Sequence, residues 1–337
     1  MTATTVTPVT LLTGYLGSGK TTVLNYLLKQ PALADTAVLI NEFGAISIDH
    51  LLVREASEHT MVLSNGCLCC AVAGDMVQAL RDLYFKRSNG EVAYFKRVMI
   101  ETTGLADPAP IMRTLMDLPL VAARYAFSGI VTTVDAEHGE GQLDQHFESI
   151  RQVAMADRIV ITKSDRVSAT GVQALAARLT RLNPGARQCL AVAGEVDPTW
   201  LLDTGLYQPD NRTADVGRWL SPGAYLPTSP DGLSVRPLAR HDPRIRAFAL
   251  SFDQVAPWQD WVAALEALVS RYGEHLLRVK GVIHAQDASS PRAIHVVQHT
   301  LYPYARLSAG LEDDRRSQLV FITRDLSEPA IRAVLEF

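Results

Sequence analysis

Cysteine is scarce in this 337-residue chain, long apolar runs are missing and positive charge is not in excess. No apolar stretch approaches the ~20 residues needed to span a bilayer, so no membrane-spanning helix is expected. The opening segment, Met1 to Thr10, sets no basic residues ahead of an apolar core. No secretory signal is therefore expected, and the cytoplasm is the expected compartment. With 32 Lys+Arg against 36 Asp+Glu the net charge is −4. That balance offers no broad footprint for nucleic acid or an anionic membrane, so any phosphate binding has to be local. Of four cysteines, three crowd together at Cys67, Cys69 and Cys70. Neighbours that close cannot staple distant parts of a fold, and they read as thiols in a reducing cytosol. No internal repeat or low-complexity tract is found.

What is present is a globular composition, 47% apolar and 20% charged, on a chain long enough for one large or two smaller domains. Short β-rich runs occur at Val9 to Thr13, Ala37 to Asn41, Val98 to Glu101, Gly129 to Asp135 and Arg158 to Thr162. They alternate with helical patterns at Lys20 to Lys29, Asp75 to Phe85, Leu143 to Ala156 and Gly171 to Leu182. Such alternation predicts an α/β fold, a parallel sheet flanked by helices. From about Leu206 to Pro243 proline, glycine and polar residues break the pattern, and a linker is expected. Beyond it the pattern predicts strand Ile245 to Phe252, helix Trp258 to Tyr272, strands near Leu277 to His284, Ala293 to His299 and Leu319 to Thr323, and helix Glu328 to Leu335. That is a second, smaller α+β domain. The expected division is 1–205, a linker 206–243, and 244–337.

The first strand runs directly into Gly14-Tyr15-Leu16-Gly17-Ser18-Gly19-Lys20-Thr21-Thr22, which fits G-x-x-x-x-G-K-[ST] between a strand and a helix. Glycines let the backbone curl until its N–H groups face phosphates, and the helix N-terminus adds its dipole. Lys20 is expected to reach the β and γ phosphates and the Thr21 hydroxyl to ligate Mg²⁺. Gly14, Gly17, Ser18, Gly19 and Thr22 complete the cradle. A chance match is about one in a hundred before the strand and helix context is counted, so a merely tight turn is the weaker reading. The first domain is thus expected to be a P-loop NTPase.

A phosphate loop alone does not separate ATP from GTP. Thr162-Lys163-Ser164-Asp165 ends a predicted strand and is similar to the [NT]-K-x-D guanine-reading motif. The Asp165 carboxylate can accept both N1–H and the exocyclic amino group of guanine, which adenine does not offer, and Lys163 would lie along the base and ribose. Thr162 stands where Asn is usual. A polar loop after a strand can contain such residues as a solvated turn, but the placement after the phosphate loop, at a strand's carboxyl end, favours base reading. Between the two motifs, Glu101-Thr102-Thr103-Gly104 follows another apolar strand. Glu101 is expected to serve Mg²⁺, and the Gly104 N–H to meet the γ-phosphate.

Three of four cysteines fall within four positions, which random placement gives on the order of one time in a thousand. Thiolates at i, i+2 and i+3 can converge on Zn²⁺, Cu⁺ or Co²⁺ and leave one tetrahedral position open, which suits exchange better than a structural role. A redox thiol pair ranks second and buried packing third. Cys189 reads as core. The nine histidines are scattered; His295 and His299 fall on a predicted strand, where a spacing of four does not bring them together. His50 is a better candidate for a fourth ligand.

Taken together, these motifs resemble the CobW family of P-loop GTPases, most closely its YjiA-type members. The resemblance also rests on Asn41-Glu42-Phe43-Gly44, Gly66-Cys67-Leu68-Cys69-Cys70, Leu105-Ala106-Asp107-Pro108 and Val134-Asp135-Ala136, with Leu277-Arg278-Val279-Lys280-Gly281 and Leu319-Val320-Phe321-Ile322 in the C-terminal unit. It implies a slow GTPase acting as a metallochaperone or metal-insertase: GTP and Mg²⁺ at the phosphate loop, Zn²⁺ or alternatively Co²⁺ at Cys67, Cys69 and Cys70, and a client metalloprotein as acceptor. Acidic residues of some YjiA-type members are Ile40 and Ala45 here, and the histidine-rich loop of other relatives is absent, which leaves the cysteines as the main site. A small-molecule P-loop kinase and a nucleotide-gated thiol redox sensor are the rival readings.

Overall fold

The computed structural model describes residues 6–41, 60–63, 71–202, 244–253, 256–302, 304–307 and 316–336. The expected linker, His50, residues 42–44 and the three clustered cysteines lie outside them. The described residues form two compact units, one on each of two sheets.

The first unit contains β1 (Thr7–Gly14), α1 (Lys20–Leu28), β2 (Thr36–Asn41), β3 (Thr60–Leu63), α2 (Ala71–Ser88), β4 (Arg97–Glu101), α3 (Pro108–Asp117), β5 (Tyr125–Asp135), α4 (Gly139–Gln145), α5 (Phe147–Met155), β6 (Arg158–Thr162), α6 (Ala169–Leu182) and β7 (Arg187–Ala191). Its seven strands are all parallel, in the order β3-β2-β4-β1-β5-β6-β7. Parallel strands are covered on both faces and so read as continuous apolar runs, and β6 is buried at every position. Val23, Leu24 and Leu27 share one face of α1 and pack on Leu12, Val38, Met99, Val131 and Val160 from five strands. α3 starts at Pro108 behind Asp107, whose Oδ1 accepts the Ala109 N–H at 3.0 Å.

One expected helix is two. His146 takes an extended backbone (φ −125°, ψ 112°) that ends α4 and opens α5. The apolar spacing of Leu143, Ile150 and Val153 continues across this break and conceals it.

The second unit holds β8 (Ile245–Phe252), α7 (Trp258–Tyr272), β9 (Leu276–Ile283), β10 (Arg292–Val297), β11 (Thr300–Leu301), β12 (Ala305–Arg306), β13 (Ser317–Arg324) and α8 (Glu328–Leu335). Its sheet is antiparallel in the order β11-β10-β9-β13-β8, with β12 on β10. Trp261, Leu265 and Leu268 of α7 and Ile331 and Leu335 of α8 form one core with Leu250, Val279 and Phe321 of the sheet. The strand expected to reach His299 stops at Val297, because Gln298 turns with φ 49°. Among the described residues no helix is long and apolar enough to cross a membrane.

Candidate functional site

Because β1 runs between β4 and β5, the carboxyl ends of β1, β4, β5 and β6 bring Gly14, Glu101, Asp135 and Thr162 to one rim of the sheet. This is where open parallel sheets bind ligands. Gly14, Gly17 and Gly19 all have positive φ (146°, 72° and 89°), and the left-handed Gly19 caps the start of α1. The Lys20 ammonium curls over the loop and donates to the carbonyls of Gly14 (3.0 Å) and Tyr15 (3.2 Å). Beside it the Thr21 hydroxyl donates to Glu101 Oε1 at 2.8 Å, and the Glu101 side chain is buried. A hydroxyl and a carboxylate in contact at the start of the helix are hard oxygen donors of the kind Mg²⁺ takes.

Hydroxyls brace the loop from beneath. Ser18 is fully buried, its Oγ 2.6 Å from Thr133 Oγ1. The Thr162 hydroxyl donates to the Ser18 carbonyl at 2.6 Å. Threonine at this position therefore joins the turn after β6 to the phosphate loop, and the Ser18 side chain serves the scaffold, with its N–H donating to the Tyr15 carbonyl at 3.0 Å. Thr22, on the first turn of α1, is exposed.

Past Gly19 a pocket of about 200 Å³ opens, lined by Thr22, Thr162, Lys163 and Asp165. Another wall is the turn Val192-Ala193-Gly194 after β7. Ala193 and Gly194 both have positive φ (52° and 83°), and a Cβ on Gly194 would lie 2.5 Å from the Thr22 carbonyl. The close approach requires glycine. This wall was not anticipated from sequence; an Ala-Gly pair after a parallel strand was the available signal.

Lys163 is itself left-handed (φ 53°), and its ammonium lies 2.6 Å from Asp135 Oδ2. Asp135 also accepts the Glu137 N–H at 2.8 Å and lies 3.1 Å from His138 Nδ1. Burial pushes this carboxyl's pKa up, yet the Lys163, Glu137 and His138 hydrogen bonds outweigh it and hold the value below the usual range. Asp135 thus stays ionised and fixes Lys163 along the pocket.

The cysteine cluster lies between the end of β3 at Leu63 and the start of α2 at Ala71. Leu63 pairs with Asn41, so the chain leaves β3 at the rim that carries Glu101. Cys189, on β7, is partly buried, and burial pushes its thiol up to about 12 despite Arg158. It packs against the core beside α1, in keeping with a packing role.

A glycine-rich loop between strand and helix, a lysine over its carbonyls and a threonine–carboxylate pair define a P-loop nucleotide-binding protein. Residues 8–189 match the CobW/HypB/UreG nucleotide-binding domain, and residues 245–336 match the cobalamin synthesis protein CobW C-terminal domain. The chain belongs to the CobW family. It is 30% identical over 325 residues to the zinc chaperone YjiA of Escherichia coli, covering 96% of both chains. It is 28% identical to the zinc-regulated GTPase metalloprotein activator 1 of Saccharomyces cerevisiae, covering 97% of this chain and 82% of the relative. Its fold matches the crystal structure of Zn(II)-bound YjiA GTPase from E. coli with a TM-score of 0.72, at 27% identity over 98% of each chain.

Proposed function

We propose that this protein hydrolyses GTP and uses the nucleotide state to hold zinc and release it to a client metalloprotein in the cytoplasm. The observation that carries the reading is the Thr21–Glu101 contact beside Lys20, on the same rim as the pocket that holds Asp165. Gly14, Gly17, Ser18, Gly19 and Lys20 bind the phosphates, and Thr22 and Lys163 flank the nucleoside. Asp165 reads guanine. Thr21 and Glu101 would hold Mg²⁺, which supplies charge neutralisation at the phosphates. Gly104 presents its N–H to the γ-phosphate, and Lys20 stabilises charge that develops on it.

Zinc is the cargo, taken by Cys67, Cys69 and Cys70, with Co²⁺ as the alternative. The zinc named for YjiA and the yeast activator supports this assignment. Ile40 is buried on β2 and adds no acidic ligand. Residues 1–205 form the GTPase domain and 244–337 the C-terminal one. The test is phosphate release from GTP and ATP without an added acceptor. GTP-selective release that Lys20→Ala abolishes, with the variant still folded, is the expected result. Unchanged hydrolysis in Lys20→Ala, or release only with a phosphate acceptor, contradicts it.

A further inference from the structure

We infer that Gln152 is a positioning residue for GTP hydrolysis, acting through Gly104; the inference rests on the hydrolytic reading above. Gln152 lies on α5 and is 1% exposed. Its side-chain nitrogen donates to the Gly104 and Ala106 carbonyls, both at 3.1 Å, bridging 48 and 46 residues of chain. Backbone carbonyls only accept, so the nitrogen end of the amide has to face them. Its Oε1 has no hydrogen-bond partner among the described residues. A buried amide with an unmet acceptor is unfavourable, and packing alone would be served better by an apolar side chain. What glutamine adds is the pair of donors.

Those donors fix the loop that follows Glu101. The Ala106 N–H donates to the Thr103 carbonyl at 3.1 Å, which closes a turn over 103–106. Across a planar trans peptide the N–H points opposite to the C=O, so the Gly104 N–H is sent out of that turn. Gln152 holds the turn by its Gly104 and Ala106 carbonyls, and the neighbouring Arg151 pairs with Asp107, the cap of α3. The Thr132 hydroxyl donates to the Gln152 carbonyl at 2.9 Å and pins α5 to β5.

The same helix pair also holds the phosphate loop. His146, at the break between α4 and α5, stacks on Tyr15 with ring centroids 4.6 Å apart and an interplanar angle of 16°. Gln142 donates to the Leu16 carbonyl at 3.4 Å. One rigid bracket therefore sets the spacing between the loop that carries Gly104 and the loop that carries Lys20. Reaction geometry at a phosphoryl group tolerates little displacement.

The experiment compares steady-state GTP hydrolysis and GDP affinity in the wild type and Gln152→Glu, which keeps the size but turns acceptors toward the two carbonyls. The expected result is kcat lower by about ten-fold with GDP affinity unchanged. Gln152→Met, which removes both donors without adding charge, is expected to give the same split and serves if the glutamate variant does not fold. A folded variant with wild-type kcat overturns the inference. So does a parallel loss of kcat and GDP affinity, the mark of a merely structural role. Wild-type protein that releases no phosphate from GTP instead overturns the hydrolytic reading on which it rests.

Discussion

Gly104 lies so close to Leu16 that a Cβ built on it would be 2.7 Å from the Leu16 backbone nitrogen and 2.8 Å from its Cα. The loop after β4 thus closes on the phosphate loop backbone to backbone, where no side chain can yield. Gly104→Ala is expected to force the two loops apart and lower GTP turnover by about a hundred-fold, while GDP binding persists. Hydrolysis rates set beside GDP titrations check this. Near-wild-type turnover would remove Gly104 from the mechanism.

The proposed reading of guanine places Asp165 in the pocket that Thr22 and Gly194 also line. Asp165→Asn is expected to lose about two decades of GTP affinity and to gain xanthosine triphosphate, because the asparagine amide donates where the carboxylate accepted. Competition between the two nucleotides in both proteins reads the exchange. Wild-type protein that binds ATP as tightly as GTP would remove the basis for the assignment.

The Asp135–Lys163 pair carries a pH dependence. The Asp135 carboxyl has a folded-state pKa below its unfolded value, so its stabilisation is fully present above the unfolded value of about 3.9 and is lost as pH falls through the folded one. Asp135→Asn is therefore expected to be less stable than wild type at neutral pH, with the gap narrowing on acidification. Denaturant midpoints of both proteins across that range test it. A gap independent of pH would show that the charge of Asp135 contributes nothing.

The phosphate loop was legible because each of its requirements is local: Gly19 has to be left-handed, Lys20 has to follow it, and Val9 to Leu12 have to read as a buried strand. The helix Trp258–Tyr272 and strand Ile245–Phe252 were legible for the same reason, since apolar periodicity marks their full extent. What the sequence concealed depends on strand order. Gln152 meets Gly104 across 48 residues, and Asp135 meets Lys163, only because β5 lies between β1 and β6. The turn at Val192 to Gly194 reaches the pocket because β7 pairs with β6. The break at His146 escaped notice because its cause is not in its own helix pattern; the residue stacks on Tyr15, far away in the chain. The short strand Thr60–Leu63 and helix Pro108–Asp117 were also passed over, the first too brief for a periodic signal and the second opening with two prolines in three residues.

The central claim is that GTP and zinc bind cooperatively. The cysteine segment joins β3, which leaves the sheet at the nucleotide rim, to α2, so loops ordered by GTP should preorganise the thiolates. Linkage requires that whatever factor GTP adds to zinc affinity, zinc adds to GTP affinity, and a useful switch is worth about 1 to 3 kcal/mol. Anaerobic chelator competition for Zn²⁺, run with Mg²⁺ and either a non-hydrolysable GTP analogue or GDP, measures that coupling directly. The account predicts zinc held about five-fold to a hundred-fold more tightly with the GTP analogue, with the difference gone in Cys69→Ser. Equal zinc affinities in the two nucleotide states would contradict it and leave any metal site a static one.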